Sequence, residues 1–259
     1  MRKIWVGAIF FASALLGACG GGGSEAERVA ETAADVLPTV LRAEGLYAGT
    51  LSNGELMQSL ILETGEIFMM HGDFKTLNGQ EMLQGPGRAD KGSYSSTDTR
   101  DYDPNNTRPF FPAPISAAYD SAGSFSGSIV EQGQTISLSG VRPAPSAYDY
   151  DQPASLDKIS GAWGDALLRI TIGSTGDIQL SSRQCDGKGT IKPRASGKNV
   201  FDIEWTFGAI PACPFYGQTV KSIAFVQAFD QYPTERGQSI IIMGVNDSRT
   251  AGKGWYLTR

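Results

Sequence analysis

The chain contains one histidine, His71, in the segment Phe68-Met69-Met70-His71-Gly72-Asp73. Nucleophilic catalysis needs a nucleophile, a base within reach and a group that orients the base. His71 is the one imidazole that could serve as that base, but its place at the end of an apolar run indicates a histidine that closes a strand and caps a loop. Haem ligation with Met69 or Met70 is a second alternative, for which no other residue of a porphyrin pocket is evident. We predict no catalytic residue and no cofactor.

Two groups of acidic residues invite a chemical interpretation. Asp101-Tyr102-Asp103-Pro104-Asn105-Asn106 has alternate oxygen donors, which would suit a calcium ion. Pro104 and the lack of an acid at the far end of the segment favour a solvated turn. Asp202 and Glu204 lie two residues apart on one predicted strand, side by side, whereas glycoside hydrolysis needs carboxyl groups that face each other. The sequence therefore predicts no metal ligand.

The N-terminus has the zones of a secretory signal. Arg2 and Lys3 precede an apolar run, Ile4 to Leu16, that is too short to span a bilayer as a helix. Leu16-Gly17-Ala18-Cys19 resembles the lipobox of bacterial lipoproteins. This resemblance implies cleavage after residue 18 and acylation of Cys19 with fatty acids such as palmitate. An ordinary signal peptide with an incidental Cys19 is the alternative.

The residues after Cys19 indicate how the chain is held. Four glycines follow it, which suits a flexible tether because glycine loses the most conformational freedom on ordering. Gly20 stands where an aspartate would imply inner-membrane retention, so the resemblance implies attachment to the outer membrane of a Gram-negative cell. Removing residues 1–18, with Arg2 and Lys3, takes the formal charge from −5 to about −7. A nucleic-acid partner is therefore not expected, since it needs a concentrated positive surface.

Cysteine usage agrees with a secreted body. Once Cys19 is lipidated, Cys185 and Cys213 remain and should pair in an oxidising compartment. On the chain-entropy argument such a bridge stabilises the fold by roughly 3–4 kcal/mol. Metal binding by these cysteines is the alternative, but it lacks ligands because His71 is far away in sequence.

The mature chain reads as all-β after a short N-terminal helix. Ser24 and Glu27 form a capping-box pattern, and Pro38 should end or kink the helix. From Gly45 onward, apolar and polar residues alternate with period two, which is typical of antiparallel sheet. The predicted organisation is a signal peptide at 1–18, a tether at 19–24, a helical spacer at 25–44, a first β domain at 45–142, a proline-rich linker at 143–158 and a second β domain at 159–259.

Local signals place several strands. Thr64-Gly65 and Gln132-Gly133 each separate two apolar-alternating runs and predict two hairpins. In the second half, Phe201, Ile203, Trp205 and Phe207 alternate with Asp202, Glu204 and Thr206, so one face should be buried and the other wet. With Phe225, these aromatic residues are expected to fill the second domain.

The two halves resemble each other. Gly45-Leu46-Tyr47 and Gly161-Ala162-Trp163 each precede a hairpin, which indicates an internal repeat, with chance similarity between glycine-rich segments as the alternative. Gly-x-Trp near a first strand is similar to the opening of lipocalins and avidins, where the aromatic residue plugs a barrel end. Each half is therefore expected to be a small barrel or curled sheet, which removes exposed edges.

A second resemblance concerns the C-terminal half. The block from Cys185 to Cys213, with Trp205-Thr206-Phe207-Gly208, is similar to two-repeat, glycine-rich β lipoproteins of Gram-negative bacteria that have no assigned activity. We therefore expect a non-enzymatic binding or structural module, held in the outer membrane by its lipid, with a protein or glycan partner. The alternative is a carrier of a small apolar ligand such as haem inside a barrel.

Overall fold

The computed structural model describes residues 41–74, 80–104, 108–232 and 235–259. The described residues belong to one compact unit. The helix expected within 25–44 lies outside the described residues except for 41–44, which are not helical. No helix in the described part of the chain is long and apolar enough to cross a membrane.

The fold is all-β, as the sequence predicts. The first sheet has the spatial order β5-β6-β9-β10-β11-β1-β2-β3-β4-β7-β8 and is curled. Its strands are β1 (Gly45–Leu51), β2 (Leu56–Ile61), β3 (Ile67–Gly72), β4 (Gln80–Gly85), β5 (Arg88–Asp90), β6 (Ser93–Ser96), β7 (Arg100–Tyr102), β8 (Phe111–Pro112), β9 (Ile115–Tyr119), β10 (Ser124–Glu131) and β11 (Gln134–Val141).

The second sheet is a meander in chain order that nearly closes into a barrel. A short 3₁₀ helix, Leu156–Lys158, leads into it. Its strands are β12 (Gly161–Gly164), β13 (Leu168–Ile172), β14 (Asp177–Ser182), β15 (Asp186–Pro193), β16 (Phe201–Phe207), β17 (Thr219–Tyr232), β18 (Glu235–Val245) and β19 (Gly252–Thr258).

Both predicted hairpins are present. Gln132 and Gly133 have φ values of +48° and +80° between β10 and β11. Two positive φ values in a two-residue loop give the turn whose twist matches that of antiparallel strands. Gly65, with φ +85°, lies in the longer turn between β2 and β3. In both cases a local conformation that glycine adopts readily sets the strand register.

Each sheet has its own apolar interior, and a third apolar cluster lies between the sheets. In β3 the side chains of Ile67 and Met69 face the first interior, while those of Phe68 and Met70 face the second sheet. The strand is therefore apolar at each position from Ile67 to Met70, as expected when both faces are buried. Members from the second sheet and the linker complete this inter-sheet cluster: Tyr148, Tyr150, Val200, Ile223, Phe225, Ile241 and Met243.

Tyr47 and Trp163, the aromatic residues of the two similar segments, make equivalent contacts in the two halves. Tyr47 in β1 donates its hydroxyl to the carbonyl of Ala43, and Trp163 in β12 donates its indole N–H to the carbonyl of Ile159, both at 2.8 Å. Arg142, directly after β11, lies over the Tyr47 ring, and Arg259, directly after β19, lies over the Trp163 ring. Two halves with different strand counts thus share one arrangement of aromatic and arginine residues.

Candidate functional site

The end of the first sheet opposite Tyr47 carries a cluster of acidic groups around His71. His71 is in β3, directly across from Glu81 in β4, and shares the inward face with Met69. Glu55 immediately precedes β2, and Asp101 is in β7, paired with Leu83 of β4. Because neighbouring strands are antiparallel, the start of β2, the end of β3 and the start of β4 meet at one end of the sheet. We call His71, Glu55, Glu81 and Asp101 the His71 cluster.

The His71 ring is bonded on both sides. Its Nδ1 lies 2.9 Å from Glu55 Oε2, and its Nε2 lies 3.2 Å from Asp101 Oδ2. The His71 side chain is 6% exposed and that of Asp101 is 2% exposed. Burial alone lowers the pKa of His71, but the hydrogen bonds to Asp101 and Glu55 outweigh it and raise the pKa to about 10. In turn, the bond to His71 lowers the pKa of Glu55.

Negative charge is concentrated in this cluster. Burial, together with the charge of Asp101, raises the pKa of Glu81 to about 7. The pKa of Glu131, at the end of β10, is also raised, by burial and by Asp101. Asp101 Oδ1 is buried and has no hydrogen-bond partner in the described residues. One ligand atom each from His71, Glu81 and Asp101 lies within 4.8 Å of the others, so these three residues have the composition and proximity of a metal-binding set.

Two sequence predictions are wrong at this site. His71 does not cap a loop, because its ring faces inward and bonds carboxylates from two other segments. Asp101 is not in a solvated turn, because it lies in β7 and is buried against His71. The residues of this cluster are 10 to 46 positions apart along the chain. Only strand pairing brings them together, so no local spacing could have revealed them.

A groove between the two sheets has a volume of about 600 Å³. Charged side chains of both signs line it, including Glu66, Lys192, Glu204, Lys221 and Arg249. At one border Arg249 Nη1 lies 2.6 Å from Asp98, and at another Arg194 Nε lies 2.8 Å from Glu63. These ion pairs join the two sheets. Asp202 also pairs with Arg194, so it is not simply solvated.

The interior of the second sheet is filled by its own side chains. The buried aromatic residues there include Trp163, Phe201, Trp205, Phe207, Phe215 and Trp255. Their rings are in contact, with centroids of Trp205 and Trp255 5.1 Å apart and those of Phe207 and Phe215 5.0 Å apart. Phe225 was expected in this interior, and that prediction is wrong. Its side chain points to the opposite face of β17, where it meets Tyr148 between the sheets.

The cysteine predictions have different outcomes. Cys185 and Cys213 form a disulfide whose two residues are 28 positions apart, and both are buried beside the aromatic interior. The predicted pairing is confirmed. Cys19, the predicted lipidation site, lies outside the described residues.

Comparison with models of protein families, with curated proteins and with solved structures finds no match. The interpretation of the site therefore rests on its own geometry.

Proposed function

We propose that the protein is a lipid-anchored lipoprotein of the outer membrane, and that it acts as a non-enzymatic binding module for another macromolecule. The observation that carries the proposal is the inter-sheet groove, which is concave and charged. Within the described part of the chain, the interior of the second sheet is filled by its own side chains and offers no comparable space. Most of the lining residues lie in strands, so their side chains have fixed positions before a partner arrives. Such pre-organisation lowers the entropy lost on binding.

The nature of the lining favours a protein partner over a glycan. Lys192 and Lys221 provide positive charge, and Glu204 and Asp247 provide negative charge, within one groove. Complementary charges set the orientation of a partner and reject wrong ones. A polypeptide segment carries both signs, whereas a neutral glycan would leave these charges without complements. A carrier of a small apolar ligand needs an apolar cavity. The interior of the second sheet is filled by its own side chains, so this alternative is disfavoured.

Two observations support a binding role over catalysis. His71 is the only histidine in the sequence, and both of its ring nitrogens are bonded to carboxylates. A general base must be within hydrogen-bond distance of the substrate proton that it removes. With a side chain that is 6% exposed, His71 is poorly placed for that role.

Charge reversal in the groove tests the binding proposal. The double variant Lys192→Glu/Lys221→Glu should lose a protein that the wild-type chain captures from envelope extract. Lys188→Glu is the matched control, because Lys188 is an exposed lysine of the same strand, β15, outside the groove. Equal capture by the wild type and the double variant would contradict the proposal. Capture of a glycan and of no protein would contradict the choice of a protein partner and favour a glycan.

The anchor requires a separate measurement, because its residues lie outside the described part of the chain. Mass spectrometry of protein from native membranes should show an N-terminal Cys19 carrying acyl chains. Cys19→Ser should release the body from the membrane fraction. An unmodified thiol at Cys19 in native protein would contradict the anchor and leave the groove proposal to be judged by its own experiment.

A further inference from the structure

We propose that His71, Glu81 and Asp101 bind one divalent transition-metal cation, with Zn²⁺ as the representative ion. Their ligand atoms come from three strands, β3, β4 and β7, and lie within 4.8 Å of one another. An imidazole nitrogen together with carboxylate oxygens suits Zn²⁺, whereas Ca²⁺ and Mg²⁺ favour oxygen ligands alone. This site is separate from the inter-sheet groove.

The distances already approach those of a metal site. With Zn–N and Zn–O bonds of about 2.0–2.1 Å, two ligand atoms of a tetrahedral site are about 3.3 Å apart. His71 Nε2 and Asp101 Oδ2 are separated by 3.2 Å. A cation can therefore bind between these two atoms with little movement of either residue. Glu81 is half-buried at the start of β4, and its ligand atom lies within 4.8 Å of those of His71 and Asp101.

Glu55 has the position of an outer carboxylate that orients the histidine. It bonds Nδ1 of His71 at 2.9 Å, on the side of the ring away from Asp101. Zn²⁺ binding displaces the proton of Nε2 to solvent, while Nδ1 keeps its proton for the bond to Glu55, so the lone pair of Nε2 binds the ion. Histidines that ligate metals usually donate their other N–H to a carboxylate or carbonyl in this way. The sequence could not reveal this because Glu55, His71 and Asp101 lie in different strands or loops.

A second observation concerns the other carboxylate oxygen of Asp101. Asp101 Oδ1 is buried and has no hydrogen-bond partner among the residues that the structure describes. Buried polar atoms are seldom left unpartnered, because removing them from water without a replacement is costly. A cation beside the Asp101 carboxylate would give this oxygen a counter-charge. It would also offset the excess of carboxylates, since Glu55, Glu81, Asp101 and nearby Glu131 surround one imidazole.

The single histidine makes a direct test possible. In nuclear magnetic resonance of the purified full chain, labelled at histidine, every imidazole signal belongs to His71. Adding Zn²⁺ should shift these signals until one equivalent is bound, and calorimetry should give the same stoichiometry. Adding Ca²⁺ should leave the signals in place. Glu81→Gln should weaken Zn²⁺ binding by about tenfold or more, while Asp157→Asn, at an exposed carboxyl of the 3₁₀ helix Leu156–Lys158, should not.

The outcomes that overturn the proposal are equally specific. Imidazole signals that do not respond to Zn²⁺ would show that His71 is only a buried partner of two carboxylates. Equal affinity in the wild type and in Glu81→Gln would place the ion elsewhere. If Glu81→Gln does not fold, Glu55→Gln replaces it, since the Glu55 side chain is 33% exposed. Loss of the outer carboxylate should reduce affinity about 10–100-fold, and an unchanged affinity in that variant would also reject the site.

Discussion

The guanidinium carbon of Arg259 lies 4.0 Å from the ring centroid of Trp163. The same arginine donates from Nη1 to the carbonyl of Ser160 and from Nη2 to the carbonyl of Lys158. Arg259 therefore joins the end of β19, the last strand of the second sheet, to the segment that precedes β12, the first strand of the same sheet. Arg142 repeats this arrangement in the other half, over Tyr47 and bonded to the carbonyls of Arg42 and Glu44.

We predict that Arg259→Ala lowers the free energy of unfolding by about 1–2 kcal/mol, from the lost ring contact and charge-assisted hydrogen bonds. Arg259→Lys should recover only part of this loss, because an ammonium group cannot cover the ring and bond two carbonyls in the same geometry. Denaturant unfolding monitored by tryptophan fluorescence measures both effects. A lysine variant as stable as the wild type would mean that charge alone matters.

The close approach of the two sheets depends on a glycine. A Cβ atom at Gly252 in β19 would lie 2.6 Å from both the Tyr102 ring and the Met82 methyl group of the first sheet. Gly252→Ala should therefore force the sheets apart and destabilise the protein by about 1–3 kcal/mol. Thermal unfolding provides the measurement.

Gly173→Ala is the control for this prediction. The nearest atom to a Cβ at Gly173 is 3.6 Å away, an ordinary contact, and its φ is not in the left-handed region. This substitution should be neutral or slightly stabilising, because alanine restricts the unfolded chain. Equal losses at the two glycines would argue against a tight contact between the sheets.

The ion pair between Glu63 and Arg194 should make stability depend on pH. Burial favours a higher pKa for Glu63, but the hydrogen bonds from Arg194 and Tyr150 outweigh it, and the pKa lies below the ordinary 4.5. A carboxyl with a lowered folded-state pKa stabilises the protein above pH 4.5, and this contribution disappears as the pH falls through the folded-state pKa.

Accordingly, Glu63→Gln should cost about 1 kcal/mol at pH 7 and less at pH 3. Parallel denaturant titrations of the wild type and the variant at both pH values supply the difference. Glu204→Gln, at an exposed position, is the control for the loss of one negative charge. A Glu63→Gln cost that is the same at pH 3 and pH 7 would assign the loss to the tyrosine contact or to packing.

Sequence reasoning succeeded where the cause is local. The turns at Gly65 and Gln132-Gly133 depend on backbone conformations that short-range signals identify, and the alternation in Phe201–Phe207 decides which face is buried. It failed where burial comes from a partner that is distant in sequence. Phe225 has two possible buried faces because β17 separates the interior of the second sheet from the first sheet, and period two cannot distinguish them.

The candidate sites illustrate the same limit. Cys185 and Cys213 could be paired from the compartment that the lipobox implies, because only two cysteines remained. The His71 cluster required the register of β3 with β4 and of β4 with β7. Lys192 and Glu66, which lie far apart in the chain, meet at the groove only because the sheets pack against each other. A groove between sheets leaves no motif in either sheet.

The most direct test of the binding proposal is site-specific photocrosslinking in intact cells. A photoreactive residue at Thr190, an exposed position in the groove, should form a covalent adduct with a partner protein. The same residue at Lys188, two positions away on β15 but outside the groove, should not. An adduct at Thr190 alone is the result that the proposal predicts, and adducts at both positions or at neither would contradict it.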